Sequence, residues 1–280
     1  AVVGRVKRLT DAAKAGHGGT LDPLATGILP IALGEATKTV MYVMDAPKRY
    51  RFTVRLGAST TTDDSEGEVL RTSDARPTDA AIEGFLPAFT GTIMQRPPDF
   101  AAIKIQGERA YDIARRGDAV DLPERPVRID ELVLVERPDA DHAVFEAASG
   151  KGAYIRALAR DLGERLGCLG HVVALRRLQV GPFGADQAVS LDALAEIAEA
   201  DSLPQVLVSV STALADIPAL AVTEPQAARL RSGHPIRISP RLVFGETVEG
   251  GTIKALADGD LVALGQFRDG ELCPLRVFTP

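Results

Sequence analysis

One carboxylate in this sequence stands where chemistry could be done. Asp22 lies in the stretch Gly16–Lys38, GHGGTLDPLATGILPIALGEATK, which holds five glycines (Gly16, Gly18, Gly19, Gly27, Gly34) and two prolines. Glycine lets backbone approach a ligand closely or take positive φ. Pro23 pushes the residue before it out of the helical region into extended geometry. Asp22 is therefore an acid on a stiff, extended loop, and His17, five residues upstream, could line the same mouth. Such a carboxylate could attack or hold a substrate; a turn residue bonding its own backbone has the same local composition. The other acid of the stretch, Glu35, lies thirteen residues beyond Asp22, so no second acid stands next to it in the motif as a glycosidase pair would need. The GEATKT end lacks the GxxxxGK[ST] spacing of a phosphate loop, which argues against a nucleotide site. The four histidines are scattered and form no CxxC or HxxxH pattern, so no zinc site is expected.

GHGGTLDPLATGILPIALGEATK closely resembles the catalytic motif of the TruB family of tRNA pseudouridine synthases. Further segments resemble that family's in the same order: Lys48–Gly57 (KRYRFTVRLG), Ala102–Gly117 (AIKIQGERAYDIARRG), Ser149–Gly167 (SGKGAYIRALARDLGERLG) and His171–Gly181 (HVVALRRLQVG). The resemblance implies isomerisation of uridine 55 in the T-loop of tRNA. The bond from ribose to uracil nitrogen breaks, the base turns, and it rejoins through carbon. No redox change or hydrolysis is involved, so no cofactor and no metal are expected. By the same resemblance Asp22 is the essential carboxylate, and Arg156 in AYIRAL is the cation expected to hold its charged form. Tyr50 would stack on the flipped uracil and accept or relay the ring proton. Leu175 would pack against the base, which the enzyme must grip once it has left the stack. His17 would fill the space the base vacates. Tyr154, Lys104 and Arg115 complete the implied substrate contacts, and Arg109, Lys151, Arg160, Arg176 and Arg177 are further candidates for phosphate, which supplies affinity rather than sequence reading. The family also carries an N-terminal strand and a Lys-Pro-x-Gly motif ahead of the point where this sequence opens, so any role of that segment in the site is left unassigned.

The net charge of −6 argues against an RNA partner until its distribution is examined. Residues 178–228 hold seven acids and no Lys or Arg, and setting them aside takes the net charge to +1. Residues 48–55 hold four bases and no acid, and 151–177 hold six bases against two acids. The acidity is segregated, which leaves room for a basic face. No run of eighteen apolar residues occurs, so no membrane span is expected. There is no signal-peptide pattern, and two distant cysteines fit a reducing compartment. A cytoplasmic monomer is the expectation.

Residues 50–56 alternate with Tyr50, Phe52, Val54 and Leu56 on one face, which predicts a half-buried strand. Residues 60–67 (TTTDDSEG) read as a polar turn. Thr78 is placed to cap a helix reaching about Phe89. Two short strands are expected over 91–105, broken at Pro97-Pro98, then a helix over 110–116 stopped by Gly117. Strands are expected at about 127–136, 143–148 and 171–180. The helix at 153–166 has an apolar stripe at Ile155, Leu158, Ala159, Leu162 and Leu166. Ser190 is placed to cap an acidic helix reaching Ala200. A boundary near 213 separates an α/β (α+β) catalytic domain with mostly antiparallel sheet, 1–213, from a small β-rich domain, 214–280, with a helix at 224–231. That tail resembles a PUA RNA-binding domain, more weakly than the first part resembles the synthase. Two rival functions stand beside the tRNA enzyme. One is a guide-RNA-dependent pseudouridylase sharing the Asp motif, against which the lack of long basic tails and the acidic pI argue. The other is a non-catalytic tRNA-binding or folding module in which Asp22 is structural.

Overall fold

The computed structural model describes residues 2–105, 107–118, 120–238 and 250–279. Packing divides the chain into two units, Gly19–Pro30 with Val43–Ala188, and Ala1–Gly18 with Ile31–Tyr42 and Val189–Pro280. This division is discontinuous along the chain, and its last break falls at Val189.

The outer segments of the second unit open the chain: helix α1 (Val2–Leu9), then strand β1 (Ala15–His17). The chain next contributes strand β2 (Thr26–Gly27) to the first unit and returns as β3 (Ile31–Leu33), which pairs antiparallel with β1. A 3-10 turn over Gly34–Thr39 leads to helix α2 (Val40–Asp45).

The first unit is built on β4 (Lys48–Leu56), whose alternation of apolar and polar residues gives the half-buried strand expected of it. After the hairpin β5 (Ala58–Thr60) and β6 (Val69–Thr72) comes helix α3 (Asp79–Phe85), with Thr78 accepting from the Ala81 N–H as its cap. Pro87 then tightens the chain into a 3-10 turn ending at Phe89. Strand β7 (Gly91–Gln95), the short pair β8 (Lys104–Ile105) and β9 (Glu108–Arg109), helix α4 (Ala110–Arg115), and strands β10 (Arg125–Glu136) and β11 (His142–Ser149) follow. Helix α5 (Ile155–Arg165) and strand β12 (Gly170–Val180) complete it. Six strands make one sheet in the order β2-β12-β4-β11-β10-β7, antiparallel throughout except where β2 runs parallel to β12. Phe52, Val54 and Leu56 of β4 meet Ile155, Leu158 and Leu162 of α5 and Ile82 of α3 in the main core.

In the second unit, helices α6 (Leu191–Glu199), capped by Ser190, α7 (Val210–Ala213) and α8 (Glu224–Arg231) alternate with a five-stranded sheet. Its strands are β13 (Ala219–Ala221), β14 (Ile236–Arg237), β15 (Thr252–Ala257), β16 (Asp260–Arg268) and β17 (Glu271–Val277), in the order β13-β15-β16-β17-β14. Ala227 and Leu230 of α8 pack on Ile253, Ala255, Val262 and Leu272. Among the described residues no helix is long and apolar enough to cross a membrane.

Candidate active site

The Asp22 carboxylate is held by a two-pronged ion pair. Arg156 Nε donates to Oδ2 at 2.8 Å and Nη2 to Oδ1 at 3.1 Å. This planar fork fixes the orientation of the carboxylate as well as its position. The remaining donors of Arg156 reach the Thr62 carbonyl through Nη1 and the Phe100 carbonyl through Nη2, each at 3.0 Å. Asp64 Oδ2 lies 3.7 Å from Nη1. The Arg156 side chain is only 5% exposed and that of Asp22 25%, so the acid, not the base, faces outward.

Arg156 is the second residue of α5, and the start of that helix is set by a distant side chain. The buried Gln95 amide accepts from the Tyr154 N–H at 2.9 Å and donates to the Tyr154 carbonyl at 3.1 Å. The first of these bonds satisfies an N–H that the helix start leaves free, while the Tyr154 carbonyl also accepts from the Leu158 N–H at 3.0 Å. The Tyr154 ring lies under the Arg125 guanidinium, 5.3 Å away. Burial pushes the Tyr154 phenol up, with Arg125 opposing and the Asp22 charge adding to the rise. The Tyr50 phenol is likewise pushed up by burial, against the Arg177 guanidinium, and it too feels Asp22. Both phenols therefore stay protonated at neutral pH and share the electrostatic neighbourhood of the carboxylate.

Arg177, expected to meet phosphate, is instead turned inward. It is 2% exposed, and its guanidinium is used on the Asp22 loop itself. Nε donates to the Ile28 carbonyl at 2.8 Å, Nη1 to Thr20 at 3.1 Å and Nη2 to Gly19 at 3.3 Å. Its backbone carbonyl accepts from the Ile28 N–H at 2.8 Å. Gly27, at φ 97°, lies so close that an added Cβ would overlap the Arg177 carbonyl, which explains a glycine there. These carbonyls supply the hydrogen bonds that a buried cation needs to offset part of its desolvation.

The other basic candidates divide. Arg160 pairs with Asp63 and Asp161 rather than facing outward. In the basic stretch 48–55, Lys48 is buried and donates to the Met44 and Ala46 carbonyls, while Arg49 pairs with Glu131 and Arg51 lies beside Glu136 and Glu146. These acids come from β10 and β11 of the same sheet, which a charge count along the chain does not see. Arg115 on α4 and Arg176 on β12 are exposed, and Lys151 is exposed beside Asp45. Lys104 and Arg109 lie on β8 and β9, and their side chains fall outside the described residues. Leu175 is buried in the main core. With Leu24, Thr26, Phe52, Arg51 and Arg176 it lines a recess of about 380 Å3. His17 sits on β1, in the second unit, with its Nδ1 buried and unbonded among the described residues. Among the described residues no three His, Cys, Asp or Glu side chains gather as metal ligands would.

The comparison with known families decides what this arrangement belongs to. Residues 7–155 match the model of the TruB family pseudouridylate synthase N-terminal domain, and 156–215 match the tRNA pseudouridylate synthase B C-terminal domain. The chain belongs to the TruB family of pseudouridylate synthases. It is 53% identical over 280 residues to the tRNA pseudouridine synthase B of Gluconacetobacter diazotrophicus, covering 99% of this chain and 92% of that protein. Against the enzyme of the same name from Cereibacter sphaeroides it is 52% identical, covering 100% and 91%. Among solved structures, one of an H/ACA RNP bound to a substrate RNA containing 2′-deoxyuridine matches with a TM-score of 0.76 at 22% identity, over all of this chain and 80% of that one. A Cbf5-Nop10-Gar1 complex matches at 0.76 and 23%, again over all of this chain and 80% of that one. These structural likenesses show that the TruB-family chain shares the pseudouridine synthase fold. The TruB family makes the chain a pseudouridine synthase, an isomerase.

Around the Asp22–Arg156 pair, sequence reasoning does not reach Gln95, nor the roles of Arg177 and of the 60–66 turn. The pairing of Gln95 with Tyr154 spans 59 residues and leaves no local pattern. Arg177 lies in a basic stretch whose charge count suggested a surface.

Proposed function

We propose that this chain converts uridine to pseudouridine at position 55, in the T-loop of tRNA, without cofactor or metal. The observation that carries the reading is the Asp22–Arg156 fork: a partly exposed carboxylate held rigid by a buried cation. The relatives named tRNA pseudouridine synthase B, at 52–53% identity, supply the substrate class. In the reaction the N1–C1′ bond breaks and a C5–C1′ bond forms, while the proton on C5 is lost and N1 gains one, so the product is an isomer. Asp22 is the carboxylate that acts while the base is detached. Tyr50, kept protonated by burial, stacks on the uracil and would pass a proton on as it receives one. Leu175 packs the base, and Tyr154 borders it. His17 occupies the vacated stack, offsetting part of the few kcal/mol that flipping costs. Arg115 and Lys104 meet phosphate. Residues 214–280 serve as a PUA-like RNA-binding unit beside a catalytic unit spanning 1–213. The protein works as a monomer in the cytoplasm.

The guide-dependent reading is less supported, because the H/ACA and Cbf5 likenesses stand at 22–23% identity. Incubating the purified protein with unmodified tRNA and no guide RNA, then mapping pseudouridine, separates the readings. Pseudouridine at position 55 supports the proposal; binding without product, or product only with a guide, overturns it.

A further inference from the structure

Arg160 lies one helical turn beyond Arg156 on α5, and the two arginines hold the same two pieces of chain. Arg160 Nη1 donates to Asp63 Oδ2 at 2.9 Å, Nη2 to the Arg96 carbonyl at 2.7 Å and Nε to Asp161 Oδ1 at 2.8 Å. Arg156 takes the Thr62 and Phe100 carbonyls. The Thr62 carbonyl is part of the peptide unit that joins Thr62 to Asp63, so the place of Asp63 sets the direction of that carbonyl. Asp63 sits at φ 58°, and its own carbonyl accepts from the Val172 N–H at 3.0 Å. On the other piece, Arg96 and Phe100 are separated by Pro97, Pro98 and Asp99. The fixed φ of two prolines carries the placement of the Arg96 carbonyl along to that of Phe100. All these side chains are mostly buried: Asp63 is 12% exposed and Arg160 17%.

We propose that Asp63 and Arg160 are positioning residues for pseudouridine formation, a brace that sets the Thr62 and Phe100 carbonyls and so aims the Arg156 guanidinium at Asp22. The brace touches neither substrate nor Asp22; it acts through Arg156. It rests on the proposed role of Asp22. Without it Arg156 keeps its charge and loses its aim, and misplacement of a catalytic group is costly even when all the groups remain.

The test is a double-mutant cycle on the full chain. Asp63→Asn is isosteric and keeps a residue that tolerates positive φ. Arg160→Lys keeps the charge and can hold Asp63, but one ammonium cannot span Asp63 and the Arg96 carbonyl together. Each is measured alone and combined with Arg156→Lys, by single-turnover rate at saturating tRNA, by RNA affinity and by thermal melting. Each single substitution should lower the rate about tenfold with affinity within about twofold. In the Arg156→Lys background the same substitution should change the rate by less than about twofold, because the group it aims is already gone. An unchanged rate in both single variants, or a full tenfold loss persisting beside Arg156→Lys, overturns the brace. Loss of melting temperature and affinity together in Asp63→Asn, with Arg160→Lys fully active, also overturns it. A wild type that makes no pseudouridine would instead sink the underlying function and the brace with it.

Discussion

Replacing Arg177 by methionine would remove three donors from the Asp22 loop while keeping a side chain of similar length. Two of the three bonds, to Ile28 and Thr20 at 2.8 and 3.1 Å, are of good length, and the third, to Gly19 at 3.3 Å, is long. Hydrogen bonds with one charged partner contribute about 1.5–3 kcal/mol each, so the two good ones amount to ~3–6 kcal/mol. Relief of the cost of burying a guanidinium offsets part of this, leaving a net loss of about 2–4 kcal/mol. For a chain of this size each 1 kcal/mol moves Tm by about 2–4 °C, so the variant should melt roughly 4–16 °C lower. Turnover should fall as well, because Gly19 and Ile28 bracket the loop that carries Asp22. The salt dependence of RNA binding should not change, since a buried arginine displaces no counterion from the RNA. A phosphate contact would behave in the opposite way: removing it lowers the slope of log affinity against log salt by about 0.7 and leaves Tm alone. Thermal melting, single-turnover kinetics and binding at several salt concentrations therefore separate the two roles. An unchanged Tm with a reduced salt slope would refute the reasoning.

Further outcomes follow from the same geometry. Arg156→Lys should reduce the single-turnover rate by about a hundredfold, since a point charge cannot reproduce the fork on Asp22, with RNA affinity nearly unchanged; equal losses in rate and affinity would count against a role beside Asp22. Gly27→Ala should destabilise the protein by at least about 2 kcal/mol in urea unfolding, through positive φ and overlap with the Arg177 carbonyl; a neutral result would mean the loop can shift there at no cost. The Asp63 carboxyl is pushed up to about 6 by burial, which outweighs Arg160 and Arg156. The native state therefore keeps a proton that the unfolded chain has released, and this group's contribution makes stability fall as pH rises from its ordinary value of 3.8 to about 6, then level off. Urea unfolding across that window should show the slope in the wild type and not in Asp63→Asn; parallel curves would contradict it.

The parts of the molecule that a local pattern encodes were legible in the sequence. The alternation over 50–56 and the stripe on 153–166 appear as β4 and α5, and Thr78 and Ser190 cap the helices they were placed to cap. The parts that depend on distant contacts were not. In the apparently irregular glycine loop, β1 and β3 pair with each other, and β2 forms where the loop meets β12 far along the chain. The burial of Arg177 follows from the Gly19, Thr20 and Ile28 carbonyls of that loop, and the ion pairs of Arg49 and Arg51 follow from acids on other strands. At the site, the approach of Arg156 to Asp22 spans 134 residues, and the motif resemblance supplied it where spacing could not.

The claim on which the rest depends is that the Asp22 carboxylate does the chemistry. Asp22→Asn keeps the shape of the side chain and removes its charge. With enzyme in excess over unmodified tRNA, quantifying pseudouridine at position 55 over time gives the direct test. The account predicts that the variant still binds tRNA and forms no pseudouridine above background. Pseudouridine at the wild-type rate would contradict it.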